Sequence, residues 1–222
     1  MARADLLLSL ARSRLIWFTQ ATYPSYQVEG MHRLIGDTLD RVVAGELARL
    51  MIFAPPQHGK SELVSVRLPA FWLGRRPDDP VILCSYAASL AHAKSKEARG
   101  IVTDELWQQL FPGLSLDPGS RSGARWRLAE HRGATVAAGV GGPITGHGCR
   151  LGIIDDPFEN WEQAQSPTMR ERAWQWYRGT FRTRVWEGGA VVLIMTRWHE
   201  DDLAGRLLRE DAGAWTVLRL PA

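Results

Sequence analysis

The chain of 222 residues is 45% hydrophobic and 23% charged, with a formal charge of +3, which suits one large α/β domain or a domain and a half with ample core. No run approaches the ~20 apolar residues of a membrane span, and the mild basic surplus permits an acidic partner such as nucleic acid without demanding one.

In chain order, "LLLSLARSRLIWF" is interrupted by Arg12 and Arg14 and has no small-residue cleavage site, so it reads as one amphipathic helix and not as a signal peptide. Tyr23, Tyr26 and Gln27 follow, at a distance from the next loop where some ATPases clasp adenine. Met31, Leu34, Ile35, Leu39, Val42, Val43 and Leu47 recur at three and four, a second amphipathic helix. "LMIF", Leu50 to Phe53, is a short buried strand. It delivers a loop that matches a phosphate-binding loop except at its first position, where Ala54 stands for Gly. Pro55, Pro56, Gln57, His58, Gly59, Lys60, Ser61 and Glu62 complete the nucleotide-binding candidates. Gly59 lets the main chain approach an anion, and the helix beginning near Lys60 points its positive end there. The chain has 24 Arg and three Lys, and one of the three sits here, as the compact charge suited to the β- and γ-phosphates of ATP. Ser61 is a candidate ligand for Mg2+. The bland alternative is a Pro-rich turn before an ordinary helix.

"VILCSY", Val81 to Tyr86, is a second buried strand, "SLAHAKSKEARGIV" a helix, and "RWRLA" with "ATVAAGV" a candidate hairpin. "RLGII", Arg150 to Ile154, is a further buried strand ending in Asp155-Asp156. Taken alone, "DDP" reads as a polar turn capping the strand; with the phosphate loop upstream, Asp155 is expected to hold Mg2+ directly or through water and Asp156 to be the catalytic group that orients or deprotonates water, with Glu159 in reserve. Adjacent strand residues normally point apart, but Pro157 forces the chain to turn here. Cys84 and Cys149 lie in or beside apolar strands and read as buried free thiols. His147 and Cys149 lack the paired spacing of a zinc site. Ser166 and Pro167 open a helix in which Arg170, Arg172, Arg178, Arg182 and Arg184 interleave with Trp174, Trp176 and Tyr177. Such a face either follows a DNA backbone or, more plainly, puts aromatics in the core and Arg outside. "AVVLIM" is the next strand and is expected to place Thr196 at the edge shared with the phosphate loop, where a hydroxyl can sense the γ-phosphate or its attacking water. Arg197 and His199 can couple that state to movement, while Glu200, Asp201 and Asp202 suit the start of the following helix. "WTVLRL" is the last strand. Continuous apolar runs alternating with helices indicate a mainly parallel sheet covered on both faces.

The elements "APPQHGKSELVS", "GVGGPITGHGCRLGIIDDP" and "TRWHEDDLAGRLL", with "YPSYQVEGMHRL" and "SPTMRERAWQWYRGTFRTR", resemble the large terminase subunit of tailed bacteriophages and prophages across nearly the whole chain. The resemblance implies an ATP-driven motor that packs double-stranded DNA into a preformed capsid, with ATP and Mg2+ as cofactors. It implies a RecA-like (ASCE) P-loop ATPase fold with a helical N-terminal extension, residues 1–48, on an ATPase core, residues 49–222. It further implies partnership with the portal protein and the small terminase subunit, a homo-oligomeric ring on the capsid that is monomeric when isolated, and the cytoplasm of an infected bacterium. Lys60 and Ser61 match the family's loop, Asp155 and Asp156 its acidic pair, and Thr196 its coupling motif. Two positions depart from the family: many relatives carry Arg where this chain has Gln57, and many read "TGRG" where it reads "TGHG" with His147. Both changes remove a fixed charge aimed at phosphate. Arg150 is the nearest substitute as an arginine acting on a neighbour's ATP. Relatives run on past "LRLPA" into a nuclease domain, so the expectation is a separated ATPase domain without nuclease activity. The rival readings are a helicase-like nucleic-acid-dependent ATPase and a catalytically weak nucleotide-binding module serving assembly.

Overall fold

A computed structural model describes residues 2–55, 59–120 and 122–220, the side chains of 2–4 excepted. Within these, the apolar runs build one sheet from β1 (Arg49–Phe53), β2 (Val81–Ser85), β3 (Arg125–Arg127), β4 (Ala134–Gly139), β5 (Cys149–Asp155), β6 (Val185–Met195) and β7 (Thr216–Arg219). Their order is β3-β4-β2-β5-β6-β1-β7. Every pairing is parallel except the antiparallel β3–β4 hairpin. The strand carrying the glycine-lysine loop and the strand ending in the acidic pair are therefore not neighbours; β6 is inserted between them.

The helices are α1 (Ala2–Ser13), α2 (Leu15–Thr22), α3 (Gly30–Ala44), α4 (Leu68–Arg75), α5 (Ala88–Val102), α6 (Glu105–Leu110), α7 (Trp161–Gln165), α8 (Pro167–Trp176) and α9 (Leu203–Asp211). Strand alternation divides the core into two layers. Leu50, Ile52, Leu151, Ile153 and Ile194 pack with residues of α1 to α6, while Met51, Phe53, Ile154, Leu193 and Met195 pack with residues of α7 to α9. Both faces are covered, which is why these strands are apolar at successive positions and not at alternate ones. Cys84 and Cys149 are buried free thiols in the second layer; burial pushes the Cys149 thiol up to about 12.

The N-terminal run is two helices, not the single one its periodicity indicates. Arg14 adopts extended backbone angles (φ −133°, ψ 125°) and frees the Leu15 N–H to donate to Asp40 of α3 at 2.8 Å. Arg14 itself pairs with Asp37 and Asp40. A cap supplied by another helix is invisible to local sequence reading. Ser166 does cap α8, its hydroxyl accepting from the Met169 N–H, with Pro167 in the first turn. α5 is pinned to the hairpin: the Trp126 indole N–H donates to Ser95 O (3.1 Å) and Oγ (2.9 Å), and His92 Nε2 meets Ala137 O at 3.1 Å. Among the described residues no helix is long and apolar enough to cross a membrane.

Candidate nucleotide site

The register aligns Phe53 with Met195 and Asp155 with Ile194, so the carboxyl ends of β1, β5 and β6 open onto one edge. The chain leaving β1 passes through Ala54 and Pro55; Pro56, Gln57 and His58 lie outside the described residues. Ala54 does not adopt a positive φ, so this position tolerates a Cβ where the motif has glycine. Gly59 does (φ 67°), and a Cβ there would stand 3.0 Å from the Tyr26 hydroxyl. That hydroxyl donates to Gly59 O at 3.2 Å. Tyr26 is thus buried against Gly59 and supports it. Tyr23, more exposed, carries the Arg67 guanidinium 5.0 Å above its ring.

Lys60 is buried at the start of the helix. Its ammonium donates to Ala54 O (3.0 Å) and Thr196 Oγ1 (2.9 Å) and lies 3.7 Å from Asp156 Oδ2. One side chain therefore ties the ends of β1 and β6 to the acid following β5. The helix continues as a π-helical turn, Glu62–Arg67, before α4. Ser61 and Ser65, four residues apart on one face, both reach Asp155: Ser61 Oγ lies 3.2 Å from Oδ1, and Ser65 Oγ donates to Oδ2. Lys94, from α5, donates to the same Oδ2 at 2.6 Å. Asp155 is completely buried among these groups. Neither Ser65 nor Lys94 stood out in the sequence reading. The signal available for Lys94 was the one noticed at Lys60, scarcity: three Lys in the chain.

Asp156 turns out of strand alternation by entering the left-handed region, φ 47°. Its N–H donates to Ile194 O (2.8 Å), its carbonyl accepts from the Tyr86 N–H (3.1 Å), and its Oδ1 accepts from the Thr196 N–H (2.9 Å). Burial, then the neighbouring Asp155 charge, push the Asp156 carboxyl above its usual range, opposed by Lys60 and the Thr196 N–H. The adjacent acids thus face different partners within one site. Glu159 pairs with Gln163 (2.8 Å), and the Glu62 carboxylate pairs with Arg67 (2.6 Å). Arg197 bonds Asp202 at 2.7 Å and lies 5.0 Å above the Phe53 ring. Asp202 caps α9 through the Gly205 N–H (2.9 Å), and His199 Nδ1 accepts from the Asp201 N–H (2.9 Å). Beside the loop lies a cavity of 420 Å³ lined by Phe53, Pro55, Arg197 and Arg219 among others.

Arg150 sits at the other end of β5. Its guanidinium donates to Glu187 O, lies 3.7 Å from Asp79 and covers Trp186 at 5.8 Å. His147 is in the loop before β5, with its N–H on Ile144 O (3.2 Å). Among the described residues there is no cluster of three or more His, Cys, Asp or Glu fit to hold a metal, His147 and Cys149 included. Of the arginines near α8, Arg170 is buried and donates to Ala164 O and Gln165 O, both at 2.7 Å. Arg178 covers Trp174 at 5.6 Å.

The family model for the terminase large subunit, T4likevirus-type, N-terminal, matches residues 51–222. The chain belongs to the terminase large subunit family. The crystal structure of the HK97 bacteriophage large terminase is similar to it with a TM-score of 0.58 at 15% identity, covering 94% of this chain and 43% of that one. The chain thus spans under half the length of that terminase. At this identity the likeness is one of fold, RecA-like α/β, with a mixed seven-stranded sheet flanked by helices. The terminase family match begins inside β1, yet α1 to α3 contribute to the same hydrophobic layer as the strands they precede. None of the curated proteins matches the chain.

Proposed function

We propose that this domain is the ATP-hydrolysing motor of a phage DNA-packaging terminase, driving double-stranded DNA into the capsid in the host cytoplasm. The observation that carries the reading is Lys60, buried at the loop yet within 3.7 Å of Asp156 and hydrogen-bonded to Thr196. A buried ammonium beside a helix start, an acid and a hydroxyl suits binding and cleavage of a terminal phosphate. The neighbouring 420 Å³ cavity falls in the usual range for a small-molecule site.

Ser61 and Asp155 would hold Mg2+. The fit rests on their chemistry: a hydroxyl and a carboxylate oxygen 3.2 Å apart are hard oxygen donors. Mg2+ commonly takes one or two carboxylates together with water and substrate phosphates, so a dedicated protein cage is not required. When bound, Mg2+ neutralises charge on the phosphoryl oxygens. Asp156, oriented by the Thr196 N–H, takes the proton of the attacking water. Thr196, touching Lys60, reports the state of the phosphate to the segment running into α9. The arginine for the transition state comes from a neighbouring subunit in a ring assembled on the portal with the small terminase subunit, and Arg150 is its proposed donor.

Titration of a fluorescent ATP analogue in Mg2+ tests the reading. Wild type should bind, and Lys60→Ala should lose at least about tenfold in affinity, removing a charge-assisted contact of roughly 1.5–3 kcal/mol. Equal affinity in the two proteins would contradict it.

A further inference from the structure

Two lysines meet two acids at this edge. Lys60 lies against Asp156 and Lys94 against Asp155, so the four side chains form a neutral set before any ligand charge is added. The two carboxylates differ in how fully they are engaged. Asp155 is completely buried, and its Oδ2 is taken by the Lys94 ammonium at 2.6 Å and by the Ser65 hydroxyl. Its Oδ1 faces Ser61. Any divalent cation must therefore use Oδ1 alone, beside an ammonium already on the other oxygen of the same carboxylate. Like charges that close in a low-dielectric setting repel strongly. α5 cannot simply swing away, since Trp126 on Ser95 and His92 on Ala137 fasten the residues flanking Lys94.

We propose that Lys94 is a positioning residue that closes the Asp155 site to a free divalent cation and makes metal entry conditional on a nucleotide. The inference rests on the reading of this edge as a nucleotide site. A bare divalent ion arriving at the neutral set makes it doubly positive. The same ion on a nucleoside triphosphate arrives as a net anion, which the buried Lys60 ammonium and the part-buried Lys94 ammonium favour. Lys94 also fixes the carboxylate's orientation, so that Oδ1 is the oxygen presented to Ser61. Replacing Lys94 by a neutral donor turns the set net negative and opens it to the bare ion.

The test measures Mn2+ binding without nucleotide, by electron paramagnetic resonance and by thermal shift, in wild type, Lys94→Gln and Lys94→Arg. Glutamine retains a hydrogen-bond donor for Oδ2, so that the buried carboxylate is not left bare; Arg retains the charge. Lys94→Gln should bind Mn2+ at least tenfold more tightly than wild type, and adding Asp155→Asn to it should abolish the gain. Lys94→Arg should behave as wild type. A purely structural role for Lys94 would move melting temperature but not Mn2+ affinity. Unchanged Mn2+ affinity in Lys94→Gln, or a gain that survives Asp155→Asn, overturns the proposal. Titration of a fluorescent ATP analogue with Mg2+ on the same proteins separates the two readings. If wild type binds it and Lys94→Gln gains no Mn2+ site, the lysine proposal alone fails. If no protein binds it while Lys94→Gln gains the site, the nucleotide reading fails and takes conditional entry with it, while the exclusion of free metal by Lys94 stands.

Discussion

Asp156 holds a left-handed backbone, a conformation that costs a non-glycine residue roughly 1–3 kcal/mol and persists only where its surroundings impose it. Here they do so through Ile194, Tyr86 and Thr196. Strand alternation alone would have sent Asp155 and Asp156 to opposite faces; the turn was suggested by Pro157, but its direction was not. Tyr26 gives a second residue-level expectation. Tyr26→Phe keeps the ring against His32 and Gly59 but removes the hydroxyl that donates to Gly59 O. Losing one such bond costs about 1 kcal/mol, so nucleotide affinity should fall about fivefold with little change in secondary structure. Undiminished affinity in a fluorescence titration would show that the loop does not depend on this support. Lys60, Ser61, Asp155 and Thr196 were legible because each sits at a fixed offset from an apolar strand. Lys94 was not, because it lies 61 residues from Asp155 and meets it only once the sheet order brings β2 beside β5.

At the scale of elements, the segment between β6 and α9 is tied down by charge. Asp201 pairs with Arg206 and Arg209 of its own helix region and with buried Arg170 of α8. Hydrogen bonds from Arg206 chiefly, with Arg209 and Arg170, outweigh burial and hold the Asp201 carboxyl well below the usual carboxylate range. A depressed carboxylate stabilises the fold fully above its ordinary value near 3.8, and that contribution is lost as pH falls through the lower folded value. Asp201→Asn should therefore lower the urea midpoint at pH 7, and its gap from wild type should shrink below about pH 4. A gap that is absent at pH 7, or that grows on acidification, would contradict the pairing. The sequence showed the acids as helix-start residues, which holds for Asp202 at the cap of α9; the role of Arg170 was hidden because its partners come from two other segments. The same non-locality split the N-terminal helix at Arg14.

For the whole molecule, mainly parallel strands between two helical layers were legible from apolar runs alternating with helices, and the β3–β4 hairpin from the runs flanking His131 to Gly133. The insertion of β6 between β1 and β5 was not, since nothing local to a strand names its neighbours. The direction of β5 has a consequence for Arg150. It is the second residue of β5 while Asp155 ends the strand, about 17 Å away at strand rise, so Arg150 cannot reach a nucleotide at the Lys60 loop of its own subunit. If it acts, it acts across an interface, and specific ATPase activity should rise with protein concentration. Mixing inactive Lys60→Ala with inactive Arg150→Ala should then restore part of it, where a single transferred arginine is worth ~10^3–10^5 in rate in other nucleotide hydrolases. Activity that stays high and flat on dilution to monomer would remove the neighbour and direct attention to Arg197, which borders the cavity beside the loop.

The measurement that bears most directly on the proposed motor is phosphate release from saturating Mg-ATP by Asp156→Asn and wild type, with bound nucleotide quantified in the same samples. Asn retains an oxygen for the Thr196 N–H but cannot take a proton. The expected result is near-equal nucleotide occupancy and at least about 10^2-fold slower release in the variant. Equal release rates at equal occupancy would contradict the assignment of this sheet edge as the hydrolytic centre.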